Sequence, residues 1–324
     1  MTTWHRGTAI VIQPGMTVED QLKAACLDWE VKLSSVFYGP EKEHKAPVSA
    51  AYRSDNNVFF DIYTKRKPWQ NAEIVETFNR FCDDANLPMT HIGSLDQGKV
   101  IYAAARLPQE IAPAQSTNDL TEAYLMLEDS HANGHGLQVW LYLNRLVCTN
   151  GMRRPVRSAQ DVTDLIEGKA KTRDRYGKSV KDRLKVIAHV GEFNSERIET
   201  ILQSAIATVE LEQQTTTQLA GVGIDKAEAT MQLIAAFGEP GQPVEEQPKI
   251  VQTCLKLFNG MGKGSSELSA YNTAYGLLHS VTEYYNHHAV KRGTVAQQFQ
   301  SILSGNRAKQ MQRFERQVVS CYLC

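Results

Sequence analysis

No stretch of this sequence approaches the ~18 consecutive apolar residues of a membrane-spanning helix, so a transmembrane helix is excluded. Its beginning lacks a basic-then-apolar secretory pattern, and a cytoplasmic setting is expected. Cysteine is sparse: six in 324 residues (Cys26, Cys82, Cys148, Cys254, Cys321, Cys324), scattered and mostly amid apolar neighbours. That excludes a disulfide scaffold and reads as free thiols in a reducing compartment. Only Cys321-Tyr322-Leu323-Cys324 has a redox or metal spacing, and it does not open a helix after a strand, where a low-pKa thiol would arise. G-x-S-x-G, H-E-x-x-H and calcium-loop patterns are also missing, so hydrolase and metal chemistry lack an anchor and no cofactor is implied.

Two near-motifs fail on spacing. In Gly260-Met261-Gly262-Lys263-Gly264-Ser265, Gly264 separates the lysine from the hydroxyl that a phosphate loop needs directly after it, and a flexible turn is expected. His131 and His135 are four apart, but Asn133-Gly134 between them breaks any shared helical face.

What is present is 42% hydrophobic and 22% charged residues, enough apolar mass for a core. The length allows about two domains or one large one. The net charge of −1 would exclude an anionic partner were it uniform, and it is not. Residues 1–152 carry −5, 153–185 carry +6, 186–262 carry −6 and 263–324 carry +4.

Residues 17–33 open with Thr17 ahead of Glu19 and Asp20. They place Leu22, Ala25, Cys26, Trp29 and Leu33 at helical spacing, which predicts an amphipathic helix. Pro40 to Pro47 reads as a charged loop. Three pairs of β-rich runs flank turn residues and predict hairpins: 48–53 with 57–63, 89–95 with 99–107, and 122–129 with 137–148. Between the first two pairs, residues 70–85 take a helical period through Ile74, Phe78, Phe81 and Cys82. The expected fold class is α+β: an antiparallel sheet of about six strands with one face helix, followed by a helical C-terminal region. In that region 195–213 carries an apolar stripe, Gly221-Val222-Gly223 breaks it, and Asp225 with Glu228 caps a helix to Phe237. The expected organisation is 1–45 (N-terminal helix and loop), 46–157 (sheet domain), 158–237 (basic then acidic helical region), 238–248 (linker) and 249–324 (C-terminal helices).

The basic zone is the most informative feature. Arg153, Arg154 and Arg157 follow the last strand, then Lys169, Lys171, Arg173, Arg175, Lys178, Lys181 and Arg183, with Tyr176 among them. A smaller cluster, Lys65-Arg66-Lys67, stands beside Trp69. Lysine and arginine neutralise phosphates and release counterions, and an interleaved aromatic stacks on a base. The alternative is a solvated helical face pairing with the acidic block 186–262.

A set of segments in order resembles a known family. Arg53-Ser54-Asp55 is similar to an R-S-D turn, Trp69-Gln70-Asn71 to an aromatic approach to a helix, and Gly93-Ser94-Leu95 with Gly98 to a glycine-marked hairpin. Ser130-His131, Arg145-Leu146-Val147-Cys148-Thr149-Asn150-Gly151, His189 with Gly191, and Thr273-Ala274-Tyr275 through Val281-Thr282-Glu283-Tyr284 and His287 complete the set. Together they resemble the phage/plasmid-like proteins of a domain of unknown function, over about residues 50–320. Ala132 stands where that family's turn has an acid, and Val190 where it has a threonine. The resemblance implies a mobile-element setting in a bacterial host cytoplasm. The order of strands and helix is also similar to phage single-strand annealing proteins, whose sheet and basic groove hold DNA in an oligomer.

The expected function is therefore a mobile-element DNA-metabolism protein that binds single-stranded DNA as a homo-oligomer, in recombination or annealing. Two alternatives stay open. One is a metal-assisted enzyme such as a nuclease, drawing on Asp55, His131, Asn150 and His189. The other is a protein that engages a host or phage partner and uses its charge blocks as internal or interfacial pairs.

Overall fold

Residues 100–105, 123–127 and 139–143 are continuous apolar runs, the pattern of strands buried on both faces. The computed structural model describes residues 4–64, 67–113, 118–132, 138–156, 195–290 and 293–323. The strands are β1 (Ala9–Val11), β2 (Val31–Tyr38), β3 (His44–Arg53), β4 (Phe59–Tyr63), β5 (Met89–Leu95), β6 (Val100–Ile111), β7 (Thr121–Ser130), β8 (Gln138–Arg145) and β9 (Asn150–Pro155). The helices are α1 (Val18–Ala24), α2 (Asn71–Asp84), α3 (Ser195–Gly221), α4 (Lys226–Phe237), α5 (Lys249–Lys256), α6 (Ala274–Glu283), α7 (Val295–Leu303) and α8 (Asn306–Tyr322). The fold is α+β. A six-stranded antiparallel sheet runs β1-β5-β6-β7-β8-β9, and a separate three-stranded sheet runs β2-β3-β4.

Alternation along the strands divides the large sheet's side chains between two cores. Ile101, Ala103, Leu125, Leu127, Val139 and Leu141 point to one face, where Ile74, Phe78 and Phe81 of α2 and Ile198 and Ile201 of α3 cover them. Tyr102, Tyr124, Met126, Trp140 and Tyr142 point to the other, against Trp4 and against Phe299 and Leu303 of α7. A third core joins α3 to α6 and α8 through Leu219, Leu233, Val251, Tyr275, Leu278, Phe314 and Val318. Each fully buried large apolar side chain stabilises the fold by ~1.5–3 kcal/mol.

All three expected hairpins form, as β3–β4, β5–β6 and β7–β8. The first does not join the others. The predicted helix over 17–33 stops at Ala24, because its second half has better partners elsewhere. Cys26 turns at φ 54°. Gln70 then uses its amide like a strand neighbour, accepting from the Val31 N–H at 2.9 Å and donating to the Val31 carbonyl at 3.1 Å. Val31, Lys32 and Leu33 pair with Arg53, Tyr52 and Ala51, so tertiary pairing outweighs helical periodicity. The expected Pro40–Pro47 loop shortens correspondingly, since β3 starts at His44.

In the helical half, α3 ends at Gly221, and the Asp225 carboxylate accepts from the Glu228 N–H at 2.8 Å to cap α4. Of the cysteines, Cys82, Cys148 and Cys254 are buried free thiols, while Cys26 and Cys321 are exposed. Burial pushes the Cys82 thiol up to about 12 and Cys148 to about 11. No helix among the described residues is long and apolar enough to cross a membrane.

Candidate functional site

The three-stranded sheet has one side on the core and one side open. Its register aligns Lys32, Tyr52 and Phe59 in one row across β2, β3 and β4, and Ser34, Ala50 and Ile62 in a second row on the same side. Phe59 is 57% exposed, and Ile62 also stands at the surface. Phe37 and Tyr38 are exposed at the far end of β2, where the Tyr38 ring lies 5.3 Å from that of His44. Lys32 is exposed, with the Glu30 carboxylate 4.0 Å away. Beyond β4 the chain carries Lys65 and Arg66, which lie outside the described residues, and then exposed Lys67. Trp69 is half-buried and packs against the first core. Exposed aromatics among cations form a surface able to stack bases and meet phosphates.

Arg153 and Arg154, the first of the basic zone, point to opposite faces of β9 and into the protein. Arg153 pairs with Glu128 at 2.9 Å, and its guanidinium lies 3.4 Å from the Trp140 ring centroid. Arg154 lies between Glu315 at 2.5 Å and Glu212 at 3.3 Å. Their charge is met internally, and Glu212 belongs to the acidic block 186–262. Arg157, Lys169, Lys171, Arg173, Arg175, Tyr176, Lys178, Lys181 and Arg183 lie outside the described residues.

Of the four polar candidates, the three among the described residues, Asp55, His131 and Asn150, are not gathered at one place. Asp55 is exposed and gives both oxygens to Arg53, at 2.7 and 2.8 Å, which holds its carboxyl below the usual range. Arg53 also donates to the Gln97 carbonyl at 3.0 Å and lies 4.4 Å over the Trp29 ring. His131 is buried, edge-on to Trp29 and stacked on Phe60, with Nε2 donating to Asn71 Oδ1 at 2.8 Å. Burial pushes its pKa down to about 4, so it is neutral near pH 7. Asn150 pairs with Arg145, and Arg145 with Thr121, at the start of β7. His131 follows the end of β7, and ten residues at ~3.3 Å each separate the two by about 30 Å. His189 and His135 lie outside the described residues. Among the described residues, no group of three or more His, Cys, Asp or Glu side chains is placed to hold a metal ion.

The interior holds a network that motif reasoning missed. Arg145 meets Asp119 through two 2.6 Å contacts, and both side chains are buried. Ser269 donates to the same carboxylate at 2.6 Å, Arg145 also donates to the Gly264 carbonyl at 3.2 Å, and its guanidinium lies 5.1 Å from the Tyr275 ring centroid. Nearby, His287 Nε2 lies 3.1 Å from the Cys148 carbonyl oxygen, and the Asn286 amide donates to the Gly151 carbonyl at 3.3 Å. The glycine turn 260–265 meets a carboxylate of the protein's own, since Glu283 accepts from the Lys263 N–H at 3.0 Å. Asp119 stands alone in a polar loop, and only the third dimension reveals its partner. For Tyr52 and Phe59 a signal existed, as aromatic residues of an alternating hairpin, but the helical reading of 17–33 hid the third strand.

Residues 63–164 and 175–316, most of the chain, match a family described as a domain of unknown function, DUF932. The small sheet lies almost entirely ahead of the matched stretches. No curated protein and no solved structure matches.

Proposed function

Because the chain belongs to the DUF932 family, a domain of unknown function, we propose its function from its own surfaces: it binds single-stranded DNA without sequence preference. The open side of the small sheet stacks the bases. Lys32 and the Lys65-Arg66-Lys67 cluster meet the phosphates, and the basic residues 157–185 add to the field. The observation that carries this reading is the row Lys32–Tyr52–Phe59, in which exposed Phe59 stands beside half-buried Tyr52 and exposed Lys32 on one side of the sheet. Stacking on such a platform tolerates any base, because every base has a π-face. The large sheet offers no equivalent, since both its faces are covered. In this reading the protein acts as a homo-oligomer in the DNA metabolism of a mobile element.

Fluorescence anisotropy with a labelled oligodeoxynucleotide at several salt concentrations tests it. Each phosphate neutralised on a single strand contributes about −0.7 to the slope of log affinity against log salt. Phe59→Ala should weaken binding about five- to a hundredfold, the loss of one stacked base, with little change in stability because the ring is mostly exposed. Affinity that ignores salt, or that Phe59→Ala leaves intact, sinks the proposal. One specific observation supports a second reading: Leu33, Phe37 and Ile62 add exposed apolar area around the same sheet, as a protein-docking surface would. In that case Phe59→Ala changes the assembly state measured by sedimentation and leaves DNA affinity alone.

A further inference from the structure

In the order β2-β3-β4, β2 is an end strand, paired with β3 on one side only. Gln70 takes the outward N–H and C=O of Val31. Alternation turns the N–H and C=O of Leu33, Ser35 and Phe37 outward as well, away from β3. Among the described residues those groups receive only a long contact, 3.4 Å from the Ser34 hydroxyl to the Ser35 carbonyl. The strand has also left the core at this point. Lys32 and Ser34 on one face and Leu33 and Ser35 on the other are all exposed, and Phe37 and Tyr38 are 51% and 59% exposed. Folded proteins commonly block such edges with prolines, bulges or several charges. Between Val31 and Gly39 there is no proline, and Lys32 is the one charge. The local irregularity falls on the other strand: Ser35 faces Ser49 and Phe37 faces Lys45, so the extra residues lie in β3.

The seven residues Lys32 to Tyr38 match themselves. In a two-fold antiparallel pairing centred on Ser35, Leu33 of one copy faces Phe37 of the other, Lys32 faces Tyr38, and Ser34 faces Val36. Apolar side chains exposed in the single chain then cover one another, and an ammonium meets a ring. The two Lys32 side chains end six positions apart, ~20 Å at ~3.3 Å per residue, so they do not repel. Both ends of the ladder close in the same register. The next pair would be Val31 with Gly39, and Gln70 already occupies Val31 while Gly39 leaves the extended conformation at φ 99°. Centring the axis one residue either way sets Leu33 or Phe37 against Ser35 and loses the apolar pairs. We propose that β2 pairs edge to edge with β2 of a second copy of this chain, joining two three-stranded sheets into one continuous sheet. Facing residues of an antiparallel pair share a side, so the Lys32–Tyr52–Phe59 rows of both copies lie on the same side. The contact goes beyond the DNA-binding reading and does not depend on it, because it forms without nucleic acid.

Sedimentation equilibrium of the full chain without DNA should show a dimer that dissociates on dilution. Ser35→Pro deletes the central outward N–H. Proline is tolerated on the open side of an edge strand, so the fold should persist while the dissociation constant rises at least tenfold. Leu33→Lys tests the same edge at an exposed position without touching backbone groups, and should also weaken the dimer at least tenfold. Phe59→Ala, on the third strand, should leave the dimer intact, which separates edge pairing from docking through the open face. Ser35→Cys sets two thiols across the axis, where facing Cα atoms lie about 5.5 Å apart, within disulfide reach. Mild oxidation should then give a covalent dimer linked through position 35 of both copies. A wild-type chain that stays monomeric at about 100 μM overturns the proposal. So does a dimer that Ser35→Pro and Leu33→Lys both leave unchanged. An edge reserved for a segment of a different protein gives the first of these results. DNA affinity is read separately by anisotropy, so the two proposals fail independently.

Discussion

Asp119 and Arg145 are both buried and joined by two 2.6 Å contacts, with Ser269 completing the carboxylate's shell. Removing one partner of a buried ion pair strands the other charge in a low-dielectric interior, at a cost of ~3–5 kcal/mol. Asp119→Ala should therefore lower stability by about that much in urea unfolding. Adding Arg145→Met should recover part of the loss, because the stranded charge goes with it. A single substitution costing well under ~1 kcal/mol would show that the pair is not what ties the sheet to the helices. The same logic separates arginines that look alike in sequence. Arg153 and Arg154 stood beside other cations and suggested a phosphate surface, yet strand alternation sends them to opposite buried faces, each to a carboxylate. Charge was legible from composition, but the direction of a side chain depends on which face of β9 it occupies.

At the scale of elements, the boundaries drawn from local signals held where the signal was local. Asp225 was readable as a cap because capping involves residues three apart, and its carboxylate does accept from the Glu228 N–H. Asp225→Ala should cost ~0.5–2 kcal/mol, read as a lowered unfolding midpoint, with Asp225→Ser nearly neutral. The α1–β2 boundary was not readable: the helix ends locally, with Cys26 at φ 54° and the Leu27 N–H bonded to the Leu22 carbonyl, but the strand that follows finds its partners in Gln70 and β3, far away in sequence. The three-stranded sheet, and with it the row proposed to stack bases, follows from that long-range pairing. The candidate site was thus half visible: Lys65, Arg66, Lys67 and Trp69 from composition, but Lys32, Tyr52 and Phe59 only from register.

Across the whole molecule, buried histidines set the response to acid. Burial holds His91, His131 and His287 near about 4 and depresses His5 and His279 as well. Unfolding returns each to its ordinary value near 6.5, so between about pH 6.5 and 4 the unfolded chain binds more protons than the folded one. Stability should therefore be highest above pH 6.5 and fall steadily as the pH drops toward 4. His131→Gln should make the decline shallower in urea denaturation followed against pH. An unchanged slope would mean that His131 already takes its proton in the folded state. The alternating charge zones belong to this scale too. Part of the +6 zone is neutralised inside the protein by Glu128, Glu212 and Glu315, and the proposed DNA contact rests on the cations that remain.

The sequence by itself determined the α+β class, the three hairpins, the helical C-terminal half and the absence of a membrane-spanning helix. Each of these depends on periodicity, turn residues or capping within a few positions. Only the tertiary structure decided that the first hairpin belongs to a separate sheet with an open side, that two of the arginines face inward, and that Asn150 and His131 lie toward opposite ends of β7. Those outcomes depend on which distant segments meet, and the free energy of burial and pairing between distant segments outweighs local preference wherever the two disagree.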